Sequence, residues 1–280
     1  MKNVLLLTDF SNNAWNAIFA ALKMHEHMAC HFCILNTYEP SFANILGDKS
    51  KERLGIIYDS LRKNSANELD NIVQYLKVNH TNKNHTFETR SVSNDLINAV
   101  KEICVEKDFD LIVMGTQGAT GAKEIFMGSN TVKLIKMINS CPILAVPSKH
   151  DVKGLSKILF PTEFIRPYPK LELKALTDLA TEWKSEIFIC HIAQEFSLNK
   201  EQISNKNILI ERLGKVAYSF HNVEIQVSVA DSISRFAEEV MADIIVLIDY
   251  KHTFIEKLTR EAVVKKVGFH SKVPLLVLPQ

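Results

Sequence analysis

Beyond an apolar run that ends in Met114 the sequence reads Gly115-Thr-Gln-Gly-Ala-Thr-Gly-Ala-Lys-Glu-Ile-Phe-Met-Gly-Ser-Asn-Thr131. Its skeleton is Gly115, Gly118 after two residues, and Gly128-Ser129 after nine more. Glycine admits close approach of the main chain to a bulky anion and permits positive φ, so successive amides can converge on phosphate oxygens. Gly128-Ser129-Asn130 is placed to open a helix, where unpaired amides and the positive end of the dipole favour phosphate. Met114, Gly115, Gly118, Gly128, Ser129, Asn130 and Thr131 are therefore candidate ligand-binding residues, the last three adding side-chain donors. The segment lacks the GxxxxGK[ST] pattern, so it is not a Walker loop. Lys123 reads as solvated, and a purely structural glycine-rich turn would share the pattern.

The elements that must position this loop repeat along the chain. Val4–Phe10 is echoed by Ile158–Phe164, Ile34–Glu39 by Ile189–Gln194, Asp110–Gly115 by Asp243–Ile248, and Cys141–Pro147 by Val273–Pro279. Four segments recurring in one order mark an internal duplication. The polar stretch Ser148–Leu155 joins the copies, giving expected domains at 1–148 and 155–280. Short apolar runs predict strands at 3–8, 31–37, 86–92, 110–115 and 142–146, then at 157–161, 186–192, 223–229, 243–248 and 274–278. Runs of this kind suit strands covered on both faces. Helical periodicity predicts helices near 12–28, 50–78, 94–107 and 128–139, the first capped by Ser11 or Asn12. Alternating strands and helices imply parallel sheets with right-handed crossovers. The expectation is α/β: two tandem doubly wound five-stranded sheets, Rossmann-like. Ligands in such sheets bind beyond the carboxyl ends of the strands, which directs attention to Thr8-Asp9, Asn36-Thr37 and Gly115 onward. The stretches Pro40–Lys51 and Glu195–Asn207 are candidate lids.

Composition excludes several other classes. The 280 residues are 46% hydrophobic and 23% charged, with a formal net charge of +1. That balance suits a globular protein with large cores and lacks the basic excess of a nucleic-acid binder. No apolar stretch is long enough to span a membrane, and Val4–Leu7 is too short for a signal-peptide core, so a cytoplasmic protein is expected. The five cysteines read as reduced, buried thiols. Cys30 and Cys33 fall three apart on a strand, where side chains point to opposite faces. His25, His27 and His31 have no metal-ligand spacing and read as solvated.

The loop and the strand ends together resemble the universal stress protein family, whose signature is a G-x2-G-x9-G-[ST] loop after the fourth strand. Gly115, Gly118, Gly128 and Ser129 match it without gaps. Leu6–Ser11 is similar to the family's first strand, with Leu7 where proline is common, and Cys141–Pro147 is similar to its fifth. The resemblance implies an adenine nucleotide alpha hydrolase-like fold and an ATP (or ADP or AMP) site in the first half. Thr8, Asp9 and Thr37 would contact the nucleoside, with Asp9 also available to magnesium. Gly115, Gln117, Gly118, Gly128, Ser129, Asn130 and Thr131 would hold the phosphates. Asp9 beside Ser11 also reads as a helix cap, and Thr37 as an ordinary strand-end threonine.

The second half departs from that pattern. Ile248, Lys251 and Arg260-Glu261-Ala262 stand where the first half has Gly115, Gly118 and Gly128-Ser129, and Glu163 replaces Asp9. A β-branched residue resists positive φ, and bulk obstructs close main-chain approach. The second half is therefore expected not to bind ATP but to pair with the first through the last strands, as an intramolecular pseudo-dimer. A further dimer and a protein partner stay open. No Walker lysine or arginine finger is evident, and Asp9 and Glu124 are the acidic residues placed near a triphosphate. The expectation is a nucleotide-binding regulatory protein, with slow ATP turnover left open. The competing readings are a scaffold with a residual glycine loop and an ATP pyrophosphatase-type enzyme. The latter class carries an SGGxDS-type loop where this chain has Thr8–Asn13.

Overall fold

The computed structural model describes residues 1–40, 51–117, 127–193, 195–248 and 272–279. The first half runs β1 (Lys2–Leu7), α1 (Asn12–Met24), β2 (Cys30–Thr37), α2 (Lys51–Asn79), β3 (His85–Val92), α3 (Leu96–Glu106), β4 (Leu111–Gly115), α4 (Ser129–Met137) and β5 (Ile143–Val146). The second runs β6 (Lys157–Thr162), α5 (Lys174–Trp183), β7 (Glu186–Ala193), α6 (Lys200–Leu213), β8 (Ala217–Glu224), α7 (Val229–Glu239), β9 (Ile244–Ile248) and β10 (Leu275–Leu278).

All ten strands form one sheet in the order β3-β2-β1-β4-β5-β10-β9-β6-β7-β8. Each half has the same internal order, and every neighbouring pair is parallel except β5 and β10. At that seam Leu275, Leu276 and Val277 face Ala145, Leu144 and Ile143. The halves thus pair through their last strands, as the pseudo-dimer expectation required.

Side-chain alternation along the strands feeds two cores, one on each face of the sheet. Leu5, Leu7, Cys33, Ile143 and Val277 pack under α3, α4 and α7. Val4, Leu6, Cys30, Leu144 and Leu276 pack under α1, α2, α5 and α6. Both cores cross the seam without interruption. Cys30 and Cys33 fall on opposite faces, and burial lifts both thiols to about 11.

Nine of the ten strands lie within a residue of their expected bounds. The exception is β8, expected at 223–229 and found at Ala217–Glu224, in register with Glu186–Ala193. The apolar spacing of Val223, Ile225, Val227 and Val229 misleads. Ser228 caps α7 by accepting from the Asp231 amide, so Val229 is helical and Val227 is exposed. The first helix also stops short of 28, because His25 takes its C-cap with its amide on the Ala21 carbonyl. His25 is not solvated. It is buried, its Nδ1 bonds the Ala21 carbonyl at 2.8 Å, and desolvation lowers its pKa. Residues 200–207 are the opening of α6, not a lid, and Gln202 and Asn205 donate to the carbonyls of Glu163 and Phe164 at 2.9 Å. Of the other candidate lid, residues 41–50 lie outside the described residues. No helix among the described residues is long and apolar enough to cross a membrane.

Candidate functional site

The chain from β1 turns to β2 on one side, while the chain from β3 crosses to β4 on the other, so the ends of β1 and β4 flank the switch point. Crevices form at such points. Here one of about 400 Å³ is lined by Leu7, Thr8, Asp9, Ala14, Asn36, Thr37, Leu96, Met114, Gly115, Gln117, Gly128, Ser129, Asn130 and Thr131. That volume is within the range of small-molecule sites. Ten of the candidate residues therefore surround one cavity, and Gly118 lies outside the described residues. Sequence reasoning left Leu7, Ala14, Asn36 and Leu96 out of the site. Asn36 had a signal, as a polar residue at the end of an apolar strand.

The strand ends are held by local bonds. The Thr8 hydroxyl accepts from the Phe10 amide at 3.0 Å, and the Asn36 side chain donates to the Thr8 carbonyl at 2.8 Å. Phe10 takes φ 65°, a strained conformation for a bulky residue. Asp9 accepts from the Ser11 amide at 3.1 Å, and Ser11 rather than Asp9 caps α1, accepting from Ala14. Thr37 ends β2 opposite Val92 and is half-buried.

The glycines act differently from the expectation. Gly115 does not have positive φ. A Cβ on it would press on the Asn13 side-chain amide and lie 3.1 Å from the Asn13 carbonyl oxygen, so a larger residue there would displace that amide. Gly128 caps α4 with φ −64° and supplies no side-chain bond. Thr131 is buried, and its hydroxyl donates to the Gly115 carbonyl at 3.3 Å, so it braces the loop with its side chain. Ser129 and Asn130 remain exposed in the crevice.

Electrostatics single out α4. Three helix N-termini meet this cavity. That of α1 is closed by Ser11, and that of α3 by Asp95, which accepts from Ile97 and Asn98. Among the described residues no side chain caps α4, whose N-cap is Gly128. Its first-turn amides and dipole form an anion-binding end. Among the described lining residues Asp9 is the ionisable one, and there is no lysine or arginine.

Among the described residues, the equivalent strand ends of the second half leave less space. Thr162 repeats the turn, accepting from the Phe164 amide at 3.1 Å, with Phe164 at φ 54°. There, however, residues 163–173 stand where the first half has only 9–11 before its helix. Tyr168 in that segment is 4% exposed and its hydroxyl bonds the Thr162 hydroxyl. Arg166 lies 5.7 Å over the Tyr168 ring and meets Glu172 at 2.5 Å. Burial raises the Glu172 pKa against the pull of Arg166. The cavity left there, with Ile248 in its wall, is about 40 Å³. Residues 249–271, which include the counterpart of the glycine loop, lie outside the described residues.

The universal stress protein family model matches residues 1–147, ending just past β5. A universal stress protein of Methanocaldococcus jannaschii is 28% identical over 166 residues, 54% of this chain and 97% of that protein. A second, from Bacillus subtilis, is 24% identical over 151 residues, 52% of this chain and 98% of that protein. The fold is that of a universal stress protein from Archaeoglobus fulgidus, with a TM-score of 0.70 and 16% identity over 99% of this chain and 96% of that one. A match over more than half of the sequence, with the glycine-loop spacing at its expected strand end, assigns the chain to the universal stress protein family.

Proposed function

We propose that this chain is an ATP-binding regulatory protein that holds one adenine nucleotide in the first-half crevice. The observation that carries the reading is the uncapped N-terminus of α4, opening into a cavity of about 400 Å³ while the neighbouring helix ends are capped. Family membership and the G-x2-G-x9-G-[ST] spacing favour ATP, with ADP or AMP as smaller ligands of the same class. Thr8, Asp9 and Thr37 take the nucleoside end. Met114, Gly115, Gln117, Gly128, Ser129, Asn130 and Thr131 line the phosphate end, and Gly118 joins them on its spacing. A helix end supplies only about half a positive charge. With no described lining cation, a triphosphate needs a counterion, and magnesium shared between its oxygens and Asp9 fits the residues present.

The second half, 155–280, acts in this reading as a degenerate copy of the same domain. Its role is to complete the paired sheet, and Tyr168 narrows the space at the end of β6. The reading is of nucleotide binding, with slow ATP turnover left open.

Titration calorimetry on the intact chain tests this. Saturable binding of ATP with magnesium is expected at about one site per chain, weaker without the metal. In a melting experiment, nucleotide at 100 times its dissociation constant stabilises the fold by about 2.7 kcal/mol. A flat response to ATP, ADP and AMP would remove the reading in favour of a scaffold.

A further inference from the structure

Asn13 entered no functional expectation, yet its placement is unusual. It lies in the first turn of α1, where a polar side chain ordinarily faces water, but it is 6% exposed. Its Nδ2 donates to the Gln117 carbonyl at 2.8 Å, and its Oδ1 has no hydrogen-bond partner. A buried amide oxygen left unpaired costs stability, so fold stability alone gives little reason to keep an asparagine there. The same side chain fills the space that a Cβ on Gly115 would need.

What this amide holds is the exit of β4. Gln117 is the last described residue before the glycine-rich segment, and three bonds gather the two ends of that segment. Asn13 fixes the Gln117 carbonyl. The Gly128 amide donates to the Thr116 carbonyl at 2.6 Å, and Thr131 donates to the Gly115 carbonyl. The latter two run between the ends of the segment itself. The first comes from outside and ties it to α1. A peptide unit is planar, so a fixed carbonyl sets the direction of the whole plane leaving Gln117. The second half offers a comparison: Ile248 occupies the Gly115 position, and α5 begins with no side-chain cap. The asparagine-glycine pair occurs in the half with the open crevice.

We infer that Asn13 is a positioning residue for phosphate recognition, holding the β4 exit against α1 so that main-chain amides at both ends of the loop meet one phosphate chain. The inference rests on the nucleotide reading above. Asn13 does not line the cavity, so it acts through Gln117 and not by touching the ligand.

The test compares ATP with magnesium against adenosine, by calorimetry, on the wild-type chain, Asn13→Ala and Asn13→Asp. Asparagine to alanine removes the donor. Asparagine to aspartate keeps the shape but turns a carboxylate toward the Gln117 carbonyl. Adenosine affinity is expected to stay within about twofold in both variants, while ATP affinity falls about tenfold in Asn13→Ala and further in Asn13→Asp, a tenfold loss being about 1.4 kcal/mol. Asn13→Ser, milder in volume, serves if the others misfold and should show the same selective loss. A parallel fall for both ligands makes the residue merely structural and overturns the inference, as does unchanged ATP binding by a folded variant. Wild-type protein that binds neither ligand overturns it differently, by removing the nucleotide site itself.

Discussion

The burial of Tyr168 at the end of β6 has a measurable signature in alkaline solution. Burial pushes the phenol up from its ordinary value to about 12, even though its bond to Thr162 and the nearby Arg166 pull it down. The folded chain therefore holds the neutral phenol more firmly than the unfolded chain does. Its contribution is whole below pH 10, where both states are protonated. It drains as pH rises toward 12, because the unfolded state loses the proton first. A shift of two units is about 2.7 kcal/mol, of which about 1.4 kcal/mol has gone by pH 11. Tyr168→Phe removes the titration together with the hydrogen bond to Thr162, whose net worth is about 1 kcal/mol. Phenylalanine keeps the ring packing under Arg166. The variant should thus unfold in less urea than the wild type at pH 7, by about 1 kcal/mol. The two should become equal between about pH 10 and 11, with the order reversing above. Lysine and backbone effects of alkali act on both proteins and cancel in the difference. A gap between the two that stays constant from pH 7 to pH 11 would refute the burial of this hydroxyl, and with it the account of how the β6 end is narrowed.

Two further outcomes follow from the cores and the caps. Cys30 and Cys33 at about 11 and Cys190 at about 12 are raised first of all by burial. At pH 8 only about one thiol in a thousand at pKa 11 is ionised, so a thiol-reactive dye should label these three only after denaturation. Rapid native labelling of Cys30 or Cys33 would contradict their assignment to opposite buried faces. Ser11→Ala removes the cap of α1 and should cost about 1 kcal/mol in urea unfolding. A cost near zero would mean that the Ala14 amide finds another acceptor.

Strands were legible in the sequence where both faces are covered, because burial on two sides forces continuous apolar runs such as Leu111–Met114 and Ile244–Leu247. At the sheet edge that constraint relaxes. Edge strand β8 mixes Tyr218, Ser219, His221 and Asn222, so its composition no longer marks it, and the apolar residues just beyond it gave a false signal. The glycine loop was legible in residue type but not in cause. Glycine at 115 was ascribed to phosphate approach and backbone freedom, whereas the nearest obstacle to a side chain is Asn13, a residue distant in sequence. Spacing within a segment carries no information about a partner on another element. The same limit hid the packing of Tyr168. The repeat shows itself in its strands, and residues 163–173 fall between them, so spacing does not mark the long connection that carries this residue.

The two halves conserve the costly part of the strand-end turn and differ in what surrounds it. Phe10 and Phe164 both adopt positive φ, and Thr8 and Thr162 both restrain them with a hydroxyl. Strain of this kind persists where the surroundings over-determine it, and here it survives in a half whose cavity is about a tenth of the other's. The turn is therefore not maintained by an open crevice alone. It also directs the chain from the sheet into the helix that covers it, and Phe164 is packed with His191 and Phe220 in the closed half. What the described residues of the two halves do not share is a second set of features: a short connection after the turn, and a glycine at the strand end that admits Asn13. Their absence from the second half leaves the sheet, the seam and both cores intact, so one half can change the connection at its strand end while continuing to support its partner.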